Sequence, residues 1–150
     1  MFTGIDASIN MLEKAKSKIT ANVTLENRNI PDLTITQKYD GIISSMLLHQ
    51  LAEPSVLWDT VKQVGKEGTK VLIMDMVRVE DLNTRLNILN TYSPEDKFQQ
   101  FRTDFNNSMQ AAFTVSEVEQ QLQEADLTNL KVSTLELPAS WQLLFITGTL

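Results

Sequence analysis

Cysteine is absent from the 150 residues, and histidine occurs once. The absence of cysteine excludes disulfide bonds and a zinc site built from thiolates. A single imidazole excludes a metal site that draws on several histidines. We therefore expect no metal centre in this chain.

Basic residues are also scarce, with 13 Lys and Arg against 19 Asp and Glu and a formal net charge of −6. Nucleic-acid binding relies on clustered basic side chains, and the densest patch, Lys14, Lys16 and Lys18, fits a solvated helix face. No apolar run approaches the roughly 20 residues of a membrane span, and the N-terminus lacks a signal-peptide pattern. We expect a cytoplasmic protein with neither a nucleic-acid nor a membrane partner.

Glycine is sparse and dispersed rather than clustered. The five glycines stand apart, at Gly4, Gly41, Gly65, Gly68 and Gly148. A glycine-rich loop, in which consecutive backbone N–H groups approach a nucleotide ligand, is therefore not found among these residues.

What the sequence does contain is an alternation of strands and helices, over a length that suits one domain. Alternation predicts a mostly parallel sheet with helices on its faces. Only three residues join the last two strands, too few for a parallel crossover, so these strands should form an antiparallel hairpin. The expected strands are residues 2–6, 22–26, 39–45, 71–76, 130–137 and 141–150, and the helices are 8–19, those beginning at 54 and 114, and a helical segment at about 79–113.

Polar side chains stand where several of these strands end. In open α/β sheets, ligands bind beyond the carboxyl ends of the strands. Asp6 has two interpretations, since its carboxylate could accept hydrogen bonds from a ribose or could cap the helix that follows. The candidate site residues at strand ends are Asp6, the loop 27–30, Ser44, Ser45 and Asp75.

The first segment resembles a known family motif. Gly4–Ser8, followed by Met11, Leu12, Ala15 and Lys16, resembles the second-strand motif of the class I S-adenosylmethionine-dependent methyltransferases. The resemblance implies that the chain binds S-adenosylmethionine and transfers its methyl group.

Later segments continue the resemblance in the family's order. Tyr39–Leu51 is similar to the fourth strand and the turn after it, and the helix from Pro54, the break at Gly65–Gly68 and the strand from Val71 follow. The implied fold is an α/β, Rossmann-like methyltransferase sheet, mostly parallel with a C-terminal antiparallel hairpin. It implies one domain, 1–150, with a helical insertion at about 79–113.

The resemblance also assigns residues to the adenosine part of the cofactor. Asp6 would accept hydrogen bonds from the ribose hydroxyls, and Ala7 and Met11 would flank the adenosine. Asn29 would contact the adenine amino group through its side-chain oxygen, and Ile30 would pack on the adenine face.

Residues after the fourth strand are assigned to the methyl-transfer end. Ser45 would face the transferred methyl group, and Leu47, Leu48 and His49 would lie near the cofactor's methionine end. For His49 the alternative is a partly exposed residue at a helix start, held by a local hydrogen bond. No catalytic residue follows from the pattern.

One part of the family pattern is not matched. In the family, a central first strand and a glycine-rich loop that holds the methionine end of the cofactor precede the second-strand motif. That motif begins at Gly4 here, so we expect the first strand to be missing and cofactor binding to be weakened or lost. A fragment of a longer methyltransferase and a truncated descendant both fit this pattern.

The helical segment carries apolar stripes on its two predicted helices, with two interpretations. They are Leu82, Leu86 and Leu89, and Phe98, Phe101 and Phe105. Apolar residues at this spacing are typical of a helix face in the core, and a lid over a small or apolar substrate is the alternative.

Two functions remain open at this stage. The first is an S-adenosylmethionine-dependent methyltransferase, as a fragment or truncated form, acting on an unidentified small-molecule acceptor. The second is a non-catalytic methyltransferase-like module that forms a homodimer or binds a protein partner through exposed sheet edges, because unpaired edges favour such pairing.

Overall fold

The computed structural model describes residues 2–20, 22–32, 34–94 and 99–150, and the chain divides into two units, Met1–Thr36 and Gln37–Leu150. The strands are β1 (Phe2–Asp6), β2 (Val23–Asn27), β3 (Gly41–Ser45), β4 (Lys70–Met76), β5 (Lys131–Leu137) and β6 (Trp141–Thr149). The α-helices are α1 (Ile9–Lys16), α2 (Ser55–Val64), α3 (Leu82–Tyr92), α4 (Gln99–Ala111) and α5 (Val115–Glu124), and short 3₁₀ turns lie at Leu48–Gln50 and Pro138–Ser140.

In the first unit, β1 and β2 pair in parallel, with Asp6 opposite Asn27 at their carboxyl ends. The helix between them, α1, begins after Ser8, whose hydroxyl accepts the N–H of Met11 at 3.3 Å. This hydroxyl satisfies one of the N–H groups left unpaired in the first helical turn. The predicted helix start at Ser8 is therefore confirmed, although the helix ends at Lys16, before the expected residue 19.

In the second unit, the described strands form one sheet in the order β3-β4-β6-β5. β3 and β4 run parallel, whereas β6 pairs antiparallel with both β4 and β5. The turn between β5 and β6 places Ala139 and Ser140 at φ of 66° and 59°. The predicted α/β class with its C-terminal antiparallel hairpin is confirmed.

One face of this sheet is buried and the other carries exposed apolar side chains. In β4, Val71, Ile73 and Asp75 are buried, whereas Leu72 is 39% exposed and its register partner Ile43 in β3 is 77% exposed. A continuous apolar run such as that of β4 is typical of a parallel strand buried on both faces, but Leu72 departs from this pattern. Strand pleating places neighbouring side chains on opposite faces, so the pattern leaves an apolar surface on β3 and β4.

Helices α2 and α5 contribute side chains to the core of the second unit. Trp58 of α2 is 1% exposed, and its indole N–H donates to the side-chain oxygen of Gln121 in α5 at 3.2 Å. Helix α5 begins with a capping box in which Thr114 and Glu117 exchange hydrogen bonds between side chain and backbone. This reciprocal arrangement satisfies N–H groups at the helix start.

Helices α3 and α4 belong to the same unit, with a further apolar cluster. Its buried members are Met76, Ile88, Leu89, Phe105, Met109 and Ala112. The predicted stripes are only partly core, because Leu82, Leu86 and Phe101 are 57%, 42% and 55% exposed. Phe98 lies outside the described residues. None of the helices in the described ranges has the length and apolar character needed to span a bilayer.

Gly148 in β6 allows a close backbone approach that provides a test of this packing. A Cβ at Gly148 would lie 2.6 Å from the carbonyl oxygen of Asn129 and 3.1 Å from the Cα of Leu130. We expect Gly148→Ala to lower the free energy of unfolding by about 1–3 kcal/mol, as overpacking does. Denaturant titration measures this change.

The matched control is Gly41→Ala in β3, where the nearest atom to an added Cβ, the carbonyl oxygen of Lys70, is 3.9 Å away. This variant should change the free energy of unfolding by less than about 0.5 kcal/mol. Equal effects of the two substitutions would contradict the close approach at Gly148.

Candidate functional site

The turn after β1 places Asp6 at the carboxyl end of a parallel strand. The Asp6 side chain is exposed, and its Oδ1 accepts the backbone N–H of Ser8 at 2.7 Å. Ser8 itself is the N-cap of α1, so the carboxylate supports the cap residue rather than capping the helix directly. Oδ2 of Asp6 is the oxygen that this local bond leaves for a ligand.

Asn27 holds the same turn in place from the neighbouring strand. Its side-chain N–H groups donate to the carbonyl oxygens of Asp6 at 3.0 Å and Ala7 at 2.9 Å. The sequence placed the loop that starts at Asn27 among the candidates but gave Asn27 no role of its own. Its position opposite Asp6 in the strand pairing was the signal that could have revealed it.

An open pocket of about 550 Å³ lies beyond the end of β2 in the first unit. Asn29, which the resemblance assigns to the adenine, lines this pocket. The next residue, Ile30, is half-buried. Met11, on α1, is 54% exposed. The pocket is lined by Glu26, Asn27, Arg28, Asn29, Pro31 and Asp32.

An ion-pair cluster stiffens the wall of this pocket. Arg28 contacts Glu26 at 2.5 Å and Asp32 at 2.6 Å, and its Nη1 also donates to the Thr34 hydroxyl at 3.0 Å. Hydrogen bonds from the Thr34 hydroxyl and from Arg28 lower the pKa of Asp32 to about 2, and Asp32 and Glu26 raise the pKa of Arg28. The single positive charge of Arg28 is therefore paired with two carboxylates, one at the end of β2 and one in the loop after it.

In the second unit, the predicted residues are the last two of β3 and those that follow it. Ser45 is exposed and Leu47 is half-buried, while the Oγ of Ser44 is buried without a hydrogen-bond partner among the described residues. Met46, between Ser45 and Leu47, has a backbone φ of 54°. Its N–H donates to the carbonyl oxygen of Met74 at 2.9 Å. This bond ties the end of β3 to β4 as the chain turns toward Leu47.

His49 and Asp75 form a buried pair that sequence reasoning did not connect. His49 is 8% exposed and Asp75 is 2% exposed, and Nδ1 of His49 lies 2.6 Å from Oδ1 of Asp75. The backbone N–H groups of Met76 and His49 also donate to this carboxylate, at 2.8 and 3.4 Å. The alternative interpretation of His49, partly exposed with a local bond, is wrong, because its partner is 26 residues away.

Apolar and aromatic side chains pack near this pair. Helix α4 lies against the 3₁₀ turn that carries His49, and Met46 and Trp141 pack on the buried cluster that contains Phe105. The Trp141 ring makes edge contacts with Tyr92 and Phe105, at centroid distances of 5.1 and 5.2 Å. Within the described ranges, the Trp141 indole N–H is buried without a partner.

A metal centre has no basis in the side chains that the structure describes. Among them, no three His, Asp or Glu residues gather closely enough to hold an ion.

Residues 1–133 match the family model described as a methyltransferase domain. The chain belongs to this methyltransferase domain family. The resemblance to methyltransferases in the sequence is thereby confirmed. Comparison with curated proteins finds no match.

Solved structures support the fold of this methyltransferase domain. A SAM-dependent methyltransferase from Aquifex aeolicus aligns with a TM-score of 0.61 and 18% identity, covering 98% of this chain and 68% of that one. The plantazolicin methyltransferase BamL, in complex with a triazolic desmethylPZN analogue and SAH, aligns with a TM-score of 0.72 and 15% identity, covering 98% and 67%. The methyltransferase domain thus spans about two thirds of the length of these structures.

A domain of a larger enzyme shows the same fold. The CMeT domain of the citrinin polyketide synthase aligns with a TM-score of 0.63 and 14% identity, covering 97% of this chain and 38% of that one. At these identities the alignments establish the fold of the methyltransferase domain, and its substrate has to be inferred from its own residues.

The Arg28 cluster gives a prediction about acid stability. The pKa of Asp32 is lowered from 3.8 to about 2 in the folded chain. Since the folded pKa lies below the unfolded one, the stabilisation is complete above about pH 3.9 and is lost as the pH falls toward 2. Carbon-detected NMR of the Asp32 carboxyl group should show this low midpoint.

Thr34→Val should raise the Asp32 midpoint toward its ordinary value, because it removes the hydroxyl donor. Thr103→Val on α4 is the control, since its hydroxyl donates to the carbonyl oxygen of Gln99 and not to Asp32. An Asp32 midpoint that is the same in Thr34→Val and in the parent chain would contradict the cluster.

Proposed function

We propose that the chain acts as an S-adenosylmethionine-dependent methyltransferase domain on a small-molecule acceptor. The observation that carries the proposal is the exposed Asp6 carboxylate at the carboxyl end of β1 in a chain of the methyltransferase domain family. The carboxylate accepts the N–H of Ser8, and Asn27 donates to the backbone carbonyl oxygen of Asp6. We propose that residues 1–150 form one domain with a helical insertion at about 79–113. The bounds of this domain and a cytoplasmic location of the protein stay predictions.

The residues of the first unit suit the adenosine part of the cofactor. Oδ2 of Asp6 is available to accept from ribose hydroxyls, which is the usual role of an acidic residue after such a strand. The open pocket lined by Asn29 has room for a planar base. Ala7, Met11 and Ile30 do not line this pocket, and we propose them for apolar contact with the adenosine on the resemblance alone. Exposed apolar atoms such as those of Met11 lose contact with water when a base covers them.

The residues that follow β3 are proposed for the methyl-transfer end of the cofactor. Ser45 and Leu47 flank Met46, whose left-handed backbone turns the chain at the end of the strand. Methyl transfer from a sulfonium is an in-line displacement that depends mainly on positioning. When bound, the cofactor would supply the electrophilic methyl group, and these residues would orient it.

The acceptor is proposed to be small and largely apolar. Leu82, Leu86 and Phe101 are exposed on α3 and α4, and an exposed apolar patch often marks a site of binding. A plantazolicin methyltransferase with the same fold is solved with a desmethylPZN analogue, which agrees with an acceptor of this size class.

The role of Asp6 can be tested by calorimetric titration with S-adenosylhomocysteine, the demethylated product. Loss of a hydrogen bond to a charged group costs about 1.5–3 kcal/mol, so Asp6→Ala should raise Kd roughly tenfold to hundredfold. Asp6→Asn should bind better than Asp6→Ala, because its amide oxygen can still accept the Ser8 N–H.

Asp59→Asn on α2 is the matched control, since Asp59 is exposed and pairs only weakly with Lys62 at 3.3 Å. This variant should leave the Kd unchanged. A folded, monodisperse parent chain that fails to bind S-adenosylhomocysteine would sink the proposed function for this chain.

A second candidate is a non-catalytic module that forms a homodimer through its sheet. It is favoured by the exposed Ile43 on β3, which is an edge strand of the described sheet, and by Leu72 beside it. Edge strands with exposed apolar side chains favour pairing with another chain.

Sedimentation velocity tests this candidate over a range of concentrations. If the homodimer forms, Ile43→Lys should shift the chain toward the monomer, because burying an unpaired ammonium group is unfavourable. Lys131→Glu on β5, at the other end of the strand order, serves as a surface control. A parent chain that stays monomeric at every concentration excludes the dimer.

A further inference from the structure

The buried His49–Asp75 pair has no role in the cofactor contacts proposed above. A buried carboxylate requires hydrogen-bond donors, and Asp75 has the backbone N–H groups of Met76 and His49 and the His49 ring at 2.6 Å. Unlike the two N–H groups, the imidazole has a second nitrogen that can take a proton.

The contacts of Asp75 determine which imidazole nitrogen is available. Oδ1 of Asp75 accepts the N–H of Met76 and also faces Nδ1 of His49, so we assign the proton of the neutral ring to Nδ1. Nε2 then carries the lone pair. A carboxylate bonded at Nδ1 orients such a ring and stabilises the imidazolium formed when Nε2 takes a proton.

The pair also lies where a ligand is expected. His49 follows the carboxyl end of β3, and Asp75 is the second-last residue of β4, its parallel neighbour. Ligands bind beyond these ends in open α/β sheets. Met76, Phe105 and Met109 form an apolar cluster in the same unit, and α4 lies against the turn that carries His49.

We propose that His49 is the general base of methyl transfer to an apolar acceptor with a weakly acidic hydroxyl, as in a phenol, and that Asp75 is its positioning residue. The proposal rests on the proposed function. A base is needed only when the nucleophile carries a proton. A phenolic hydroxyl, with a pKa of about 10, keeps its proton at neutral pH, and its ring suits the apolar surroundings.

The proposed step balances as follows. Nε2 of His49 takes the hydroxyl proton while an electron pair on the acceptor oxygen forms the new bond to the methyl carbon. The sulfur–methyl bond of the sulfonium breaks, and its electron pair stays on sulfur, which becomes a neutral thioether. The imidazolium beside Asp75 then releases the proton to water.

The first test needs no turnover, because His49 is the single histidine of the sequence. Nitrogen NMR of the histidine-labelled chain, recorded at a pH where the spectrum shows a neutral ring, should show the proton on Nδ1. Diethyl pyrocarbonate should acylate Nε2 in the folded chain. A proton on Nε2, or an imidazole that reacts only after unfolding, would overturn the proposal.

The second test compares two probe acceptors with S-adenosylmethionine as the donor. With a phenol, His49→Gln should lower the rate by about 10²- to 10⁴-fold, the usual contribution of a general base. With a pyridine, whose ring nitrogen carries no proton, the rate should be unchanged. Equal losses with both acceptors would show a structural role and overturn the proposal.

Asp75→Ala tests positioning. In this variant Nδ1 of His49 loses its acceptor, so the ring should lose its fixed Nδ1–H form, and the rate with the phenol should fall while the rate with the pyridine is retained. An unchanged tautomer and phenol rate would contradict the positioning role. Circular dichroism shows whether each variant is folded, and the measurements on the parent chain do not depend on the variants.

Titration with S-adenosylhomocysteine separates this inference from the proposed function. If the parent chain fails to bind while Nε2 is free and reactive, the proposed function fails first and the base role falls with it. If the parent chain and His49→Gln bind equally well but the parent carries its proton on Nε2, only the base role is overturned.

Discussion

The second unit depends on a carboxylate that the strand pattern forces into the interior. Val71 and Ile73 are buried on one face of β4, and the pleat places Asp75 on that same face. Burial of a carboxylate is tolerated only when donors surround it. The backbone N–H of Met76 and the ring and backbone of His49 meet this requirement. One buried charge therefore determines where the chain must run after β3.

The first unit achieves local order with amide and carboxylate contacts instead of a core. Its described residues are all exposed or half-buried, yet Asn27 holds two carbonyl groups of the turn after β1, and Arg28 joins Glu26 and Asp32. These bonds join residues that are close in the sequence or that lie on neighbouring strands. A ligand-binding turn can be held in this way because its geometry depends on nearby partners rather than on deep packing.

Helix starts that depend on capping residues could be predicted from the sequence. Contacts between residues that are distant in the chain could not. Ser8 and Thr114 were correct as helix starts, because a side-chain cap is encoded by adjacent residues. The interpretation of His49 as a partly exposed residue with a local bond was wrong, since its partner Asp75 is distant in sequence, whereas its place near the methionine end of the cofactor stays a prediction. The burial of Asp75 was nevertheless implied by its spacing from Val71 and Ile73. The exposure of Leu72 does not follow from the sequence, because a continuous apolar run does not reveal which face of the strand is covered. The assignments of Asp6 and Ser45 to the cofactor stay predictions.

The two tryptophans of the sequence have very different neighbours. Trp58 is enclosed, with its indole bonded to Gln121 of α5. Trp141 at the start of β6 instead contacts Tyr92 of α3 and Phe105 of α4. Any displacement of these two helices would change the surroundings of one indole and leave the other as an internal reference. The intrinsic fluorescence of Trp141 can therefore report on movement of α3 and α4 without an added dye.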